Sequence, residues 1–312
     1  MSTETFDTLI ARNKRNSVLL VFVFLLLFAA MGLLIGQVWG HGNRNFSIAV
    51  AAGAGAVAFL ISIISYYGGP SVLLGMSQAR QIQKSDDPQL FNVVEELSLA
   101  AGAPVPKVYL IDDTAMNAFA TGRDPAHASV AITTGLRQKL TREELEGVIA
   151  HELSHVRNFD IRYATLVAVM VGTLVMLCDV FLRSMWFGGG RSSRRRDSRE
   201  GGGAAQLIIL VVALVLAIIA PILARIIQMA ISRQREYLAD ASGVELTRNS
   251  HGLASALAKL SNDPEVLEVA NRATACLYIV HPIKKTEERA ASIFDTHPPI
   301  KERIQRILSL TV

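Results

Sequence analysis

Thr141-Arg-Glu-Glu-Leu-Glu-Gly-Val-Ile-Ala-His151-Glu152-Leu-Ser-His155 is the stretch from which the rest of the chain is read. Its opening is a capping-box pattern: the Thr141 hydroxyl can accept the backbone N–H of Glu144, while the Glu144 carboxylate reaches back to the Thr141 N–H. No proline or glycine pair follows, so the helix is expected to run without a break into the apolar run that begins at Ala164. Residues four apart share a helix face, so the imidazoles of His151 and His155 can hold one tetrahedral zinc ion while Glu152 is aimed at the water on it. Zinc brings the pKa of that water towards about 7 and polarises the scissile carbonyl. Glu152 can then act as general base and afterwards carry the proton to the leaving amine. A merely structural helix would have no reason to bracket a glutamate between two such histidines.

The surroundings of the motif are a membrane protein's. The chain has 312 residues, of which 51% are hydrophobic and only 19% charged, a balance too apolar for a soluble enzyme. The excess lies in four runs, Ser17–Trp39, Ser47–Tyr67, Ala164–Leu182 and Leu207–Ala224, each near the roughly 20 residues that span a bilayer core. The first follows a basic stretch (Arg12, Lys14, Arg15), as a signal peptide would, but its apolar part exceeds the roughly 7 to 15 residues of a cleavable core. It reads as a retained anchor. The net charge of +4 comes without any nucleic-acid motif or basic-aromatic surface, which excludes a nucleic-acid partner. Cys178 and Cys276 offer neither a disulfide framework nor metal-type spacing.

Four regions follow. Residues 1–70 hold two transmembrane anchors. Residues 71–163 hold the first part of a catalytic domain, with an amphipathic helix (Gln89–Ala101), short strands at Lys107–Ile111, Asn117–Thr121 and Ser129–Thr134, and the His-Glu-x-x-His helix. Residues 164–231 form an apolar helical hairpin with an Arg/Gly-rich loop, 183–203. Residues 232–312 complete the catalytic domain. The expected fold is a predominantly α membrane protein of about four transmembrane helices, with a zincin-like α+β catalytic domain built around a small β-sheet.

A catalytic zinc needs a third protein ligand. Glu236 and Asp240 share a helix face, and in a hairpin His155 lies about 13 Å outside Ala164 and Glu236 about 18 Å beyond Ala224, similar heights if the helices are unbroken. Glu236 is therefore the expected third ligand, and Asp240, one turn on, the acceptor that orients a ligand histidine. The bland alternative is a solvated face bridged to Arg233 or Arg235. Glu95, Glu96 and Glu245 lack a comparable geometric argument.

Taken together, Asn117-Ala-Phe-Ala-Thr-Gly122, the zinc helix, the apolar hairpin, Arg235-Glu-Tyr-Leu-Ala-Asp240 and His297-Pro-Pro299 resemble the HtpX-type membrane metalloproteases of bacterial quality control, relatives of the CAAX prenyl proteases. The resemblance runs over essentially the whole length. It implies the same ligand set, with one Zn2+ per chain. It further implies that Asn117 hydrogen-bonds a substrate backbone at the sheet edge, and that His297 and Arg303 lie near the oxyanion that forms during hydrolysis. Read from spacing alone, Asn117 is an ordinary turn residue and His297 a loop residue before a helix whose Ile300, Ile304, Ile307 and Leu308 pack inward.

More Lys and Arg flank the helix ends on the side of the N-terminus and the motif than on the other side. By the positive-inside rule the site then faces the cytoplasm, and the resemblance implies a bacterial inner membrane, although the arginines of loop 183–203 oppose that topology. The motif points to zinc-dependent endopeptidase cleavage, with the lipid bilayer as a partner, and the resemblance implies misfolded or damaged membrane proteins as its substrates, under stress. A catalytically silent metal-binding chaperone or scaffold is the alternative, and the intact Glu152 speaks against it.

Overall fold

The computed structural model describes residues 6–40, 42–173, 233–268, 277–280 and 298–310. The protein is mostly helical, with two candidate membrane spans and a small mixed sheet. The end of the third apolar run, loop 183–203, the fourth run, both cysteines and His297 lie outside the described residues. The chain divides into two compact units, residues 18–64 with 170–226, and residues 1–17, 65–169 and 227–312.

The first unit holds residues 18–39 of α1 (Phe6–Trp39) and 44–64 of α2 (Arg44–Met76), the two described helices that are long and apolar enough to cross a bilayer. They cross at small residues: a Cβ on Gly32 would stand 2.7 Å from Ala51 Cα, and one on Gly36 2.5 Å from Ser47 Cα. Two glycines four apart let the backbones approach, which is how helices associate where no hydrophobic effect drives them together. Their other faces expose Val18, Phe22, Leu26, Phe59, Leu60 and Ile64, the side chains that hydrocarbon, not water, would cover.

The second unit is built on a four-stranded sheet of order β1-β2-β4-β3, with β1 (Arg80–Gln81), β2 (Lys107–Ile111), β3 (Ala118–Gly122) and β4 (Ala128–Thr133). β2 and β4 are parallel, with Val108 opposite Val130, and the other pairs are antiparallel. Helix α3 (Pro88–Ala100) starts at Asp87, whose side chain accepts the Leu90 N–H, and buries Leu90, Val93, Val94 and Leu97. These meet Val108, Val130 and Ile132 of the sheet, Leu136 of the short helix α4 (Thr134–Lys139), Leu145, Val148 and Ile149 of α5 (Arg142–Arg157), and Leu253 and Leu257 of the helix Ser250–Asn262. A Cβ on Gly147 would stand 2.7 Å from Leu253 N, so only glycine lets these last two helices pack this closely. In the helix Ile300–Leu308, Ile307 is buried as its periodicity requires, but Leu308 is exposed, and Arg303, one turn before Ile307, is as fully enclosed as it.

The capping box of α5 forms: Thr141 N–H donates to Glu144 Oε2 at 2.8 Å, and Glu144 N–H to Thr141 Oγ1 at 3.4 Å. The uninterrupted helix does not. α5 stops at Arg157, Phe159 takes a left-handed φ of 59°, and helix resumes over 160–173. A bulky residue in that region costs about 1–2 kcal/mol. Offsetting contacts come from Lys14 Nζ, 4.4 Å from the Phe159 ring centroid, and the Arg162 guanidinium at 5.0 Å. The break turns Asp160 back towards the helix it has just left.

Candidate metal centre

Helix α5 enters the core beneath the sheet, so that His151 and Glu152, 1% and 2% exposed, are enclosed while still one peptide apart. The imidazoles of His151 and His155 present Nε2 atoms 3.2 Å apart. The helix Arg233–Thr247 packs along α5 and brings Glu236 Oε2 to 3.8 Å from His151 Nε2 and Glu236 Oε1 to 3.6 Å from His155 Nε2. These three residues form a group, with ligand atoms all within 4.8 Å of one another, that could hold a metal ion.

The donors fit such an ion. Tetrahedral ligands at zinc's distance of about 2.0–2.1 Å stand about 3.3–3.4 Å from one another. The spacings here, 3.2 to 3.8 Å, match that edge within a few tenths of an ångström. Each imidazole is also aimed from behind, as metal-binding histidines are when a carboxylate takes the other ring nitrogen. His151 Nδ1 lies 3.0 Å from Asp240 Oδ1, and His155 Nδ1 3.0 Å from Asp160 Oδ2.

Electrostatics follow from burial. Burial pushes the Glu152 carboxyl up to about 7, against the attraction of His155 and a hydrogen bond from the Ala120 backbone N–H. Burial also opposes charge on His155, but the Asp160 hydrogen bond and the Glu236 carboxylate outweigh it and raise the imidazole to about 9. Burial would raise the Asp240 carboxyl, yet the Arg303 guanidinium and the hydrogen bond with His151 hold it below the usual carboxylate range. The anion that steadies His151 is thus kept ionised.

Arg303 sits behind the donors, fully buried, rather than at an open edge. Its Nε and Nη2 donate to Asp240 at 2.9 and 2.7 Å, its Nη1 donates to the Ile279 carbonyl at 3.2 Å, and Nη1 lies 3.4 Å from Glu236 Oε2. Asn117, just before β3 and 3% exposed, donates through Nδ2 to the Val280 carbonyl at 3.0 Å. Beside it the Ala118 carbonyl accepts the Ile279 N–H at 3.0 Å, so residues 277–280 of the chain itself lie on this edge of the sheet. The residue not foreseen is Asp160. Its signal in the sequence is an aspartate five positions after the second histidine, legible only once the helix is known to break between them.

A model of Peptidase family M48 matches residues 84–311. The chain belongs to peptidase family M48. Among its relatives, a Protease HtpX homolog of Caldanaerobacter subterraneus subsp. tengcongensis is 45% identical over 312 residues, covering 100% of both chains. Another Protease HtpX homolog, from Streptococcus thermophilus, is 46% identical over 299 residues, 96% of this chain and 97% of the relative. The crystal structure of S. mikatae Ste24p is similar with a TM-score of 0.48 and 17% identity, over 96% of this chain and 66% of that one, just under two thirds of its length. As an M48 member with Protease HtpX relatives along its whole length and two apolar helices of spanning length, the chain is a membrane metallopeptidase. Family M48 implies a metal cofactor, and the His151, His155 and Glu236 group fits one.

Proposed function

We propose that the chain is a zinc endopeptidase of the bacterial cytoplasmic membrane. It cuts misfolded or damaged membrane proteins on the cytoplasmic side, with His151, His155 and Glu236 as the zinc ligands and Glu152 as the general base. The observation that carries the reading is the convergence of two Nε2 atoms and one carboxylate at tetrahedral spacing, with a second, buried glutamate adjacent in sequence to a ligand. A mixed nitrogen and oxygen set is one that zinc accepts in hydrolytic sites. When bound, the cation supplies Lewis acidity, making water a stronger acid and a carbonyl a better electrophile. Glu152 takes the proton from the attacking water, and its buried carboxyl, raised to about 7, is basic enough to do so near neutral pH. The same carboxyl then passes that proton to the leaving amine. Asp240 and Asp160 keep the two imidazoles turned inwards, and Arg303 keeps Asp240 charged and in place. The cytoplasmic orientation is supported by the excess of basic residues on the side of the N-terminus and the site.

The test is metal removal and return on purified protein in detergent. Treatment with a strong chelator is expected to abolish casein cleavage, and about one equivalent of Zn2+ to restore it, whereas Mg2+, which prefers oxygen ligands, does not. Glu236→Ala is expected to be purified without zinc. Cleavage that survives chelation, or wild-type zinc content in Glu236→Ala, would move the chemistry to other residues. Two further variants probe the support behind the ligands. Asp240→Ala and Asp160→Ala are each expected to weaken zinc binding by about 10- to 100-fold, read by competition with a chromophoric chelator.

A further inference from the structure

Asn13 is a polar residue buried to 2% exposure in α1, close to where the helix becomes wholly apolar and between the charged Arg12 and Lys14. Burying a carboxamide is unfavourable unless its hydrogen-bonding groups are matched. Asn13 matches them on parts of the chain far away in sequence. Its Nδ2 donates to Asp160 Oδ1 at 2.7 Å and to the Asn158 carbonyl at 2.9 Å, while its Oδ1 accepts from Arg235 Nη1 at 3.1 Å. Each partner adjoins the metal centre. Asp160 holds His155 Nδ1 with its other oxygen, Arg235 precedes Glu236, and Asn158 caps α5 at the break that turns Asp160 back.

The Asp160 carboxylate has two duties, one at each oxygen. Asp160 Oδ2 can hold the imidazole in one orientation only if the carboxylate does not rotate about its own axis, and that is decided by what holds Oδ1. Arg235 Nη1 lies 3.4 Å from Oδ1 and Asn13 Nδ2 only 2.7 Å, so Asn13 makes the shorter bond. Its second donated bond pins the turn that delivers Asp160. A residue whose role was only to anchor α1 would need no aim at the oxygen opposite a histidine.

We propose that Asn13 is a positioning residue of the metal centre, acting through Asp160 on His155, so that the start of α1, residues 6–17, is a working part of the site. This rests on the reading of His155 as a metal ligand. The test is a double-mutant cycle on the full chain in detergent, with zinc affinity measured by chelator competition for wild type, Asn13→Leu, Asp160→Ala and the double variant. Asn13→Leu keeps the branched shape and removes all three hydrogen bonds. It is expected to weaken zinc binding by about 10-fold, the lower end for residues behind a ligand, and to have no further effect once Asp160 is alanine. Absorption of the Co2+-loaded protein should shift in Asn13→Leu and not differ between Asp160→Ala and the double variant. Affinity within about twofold of wild type, or the same factor lost in both backgrounds, overturns the proposal. Wild type that binds no zinc overturns instead the reading of His155 as a ligand. Asn13→Ala is made in parallel, and thermal unfolding of the chelator-treated variants reads the fold separately. If both Asn13 variants are unfolded and zinc does not restore them, Asn13 is a folding residue and the proposal falls.

Discussion

Glu152→Gln lowers the rate of peptide cleavage by about 10²- to 10⁴-fold, the contribution typical of a positioned general base, while zinc per chain stays at the wild-type level. The amide has the shape of the carboxyl but cannot take a proton from water. Glu152 is enclosed beneath the sheet, and its carboxylate accepts the Ala120 N–H, a bond that the amide oxygen of glutamine can keep. The substitution therefore removes basicity and leaves packing nearly as it was. Metal content is the control that gives the activity result its meaning, because His151, His155 and Glu236 are untouched. Cleavage at the wild-type rate by a fully loaded Glu152→Gln protein would remove Glu152 from the mechanism. Loss of both zinc and activity would show that the glutamate supports the metal.

Arg303→Met is expected to destabilise the catalytic unit by about 3–5 kcal/mol, the usual cost of removing one partner from a buried ion pair. Methionine retains much of the side-chain volume, so the loss is electrostatic. Asp240, gripped through two parallel hydrogen bonds, and Glu236, 3.4 Å from Nη1, would be left as buried anions with less compensation, and the Ile279 carbonyl would lose its donor. Arg303→Lys should recover only part of the deficit, since an ammonium cannot span both oxygens of Asp240 while reaching Ile279. Unfolding followed with and without bound zinc separates two contributions. The deficit should shrink when zinc is present, because the cation neutralises Glu236. A variant as stable as wild type in both conditions would mean that the Arg303 cluster contributes nothing net.

What could be read in advance follows the range of the interactions concerned. The capping box, the shared face of His151 and His155, and the apolar stripe of α3 depend on residues three or four apart, and all three are present. The strands β2, β3 and β4 lie within a residue or two of where β-branched and aromatic composition and the flanking turn residues placed them. β1, only two residues long, carries no such composition, and the parallel pairing of β2 with β4 is a choice among registers that composition leaves open, since β4 is buried on both faces. The break after α5 was illegible for a different reason. Asn158 and Phe159 are not breakers by propensity, and the left-handed Phe159 is tolerated because Lys14 and Arg162 lie over its ring.

The same division runs through the site. By itself the amino-acid sequence determined the chemistry: two imidazoles one helical turn apart, a glutamate between them, and an acidic pair on a later helix, since side-chain type and a period of 3.6 residues are properties of the chain alone. Only the tertiary structure decided which carboxylate stands behind which histidine. Asp160 reaches His155 through a turn no propensity announces, Arg303 faces Asp240 from 63 residues away, and Asn13 meets Asp160 across 147. Such pairings belong to buried polar groups whose partners are chosen by packing, and burial makes each of them obligatory once the elements have met.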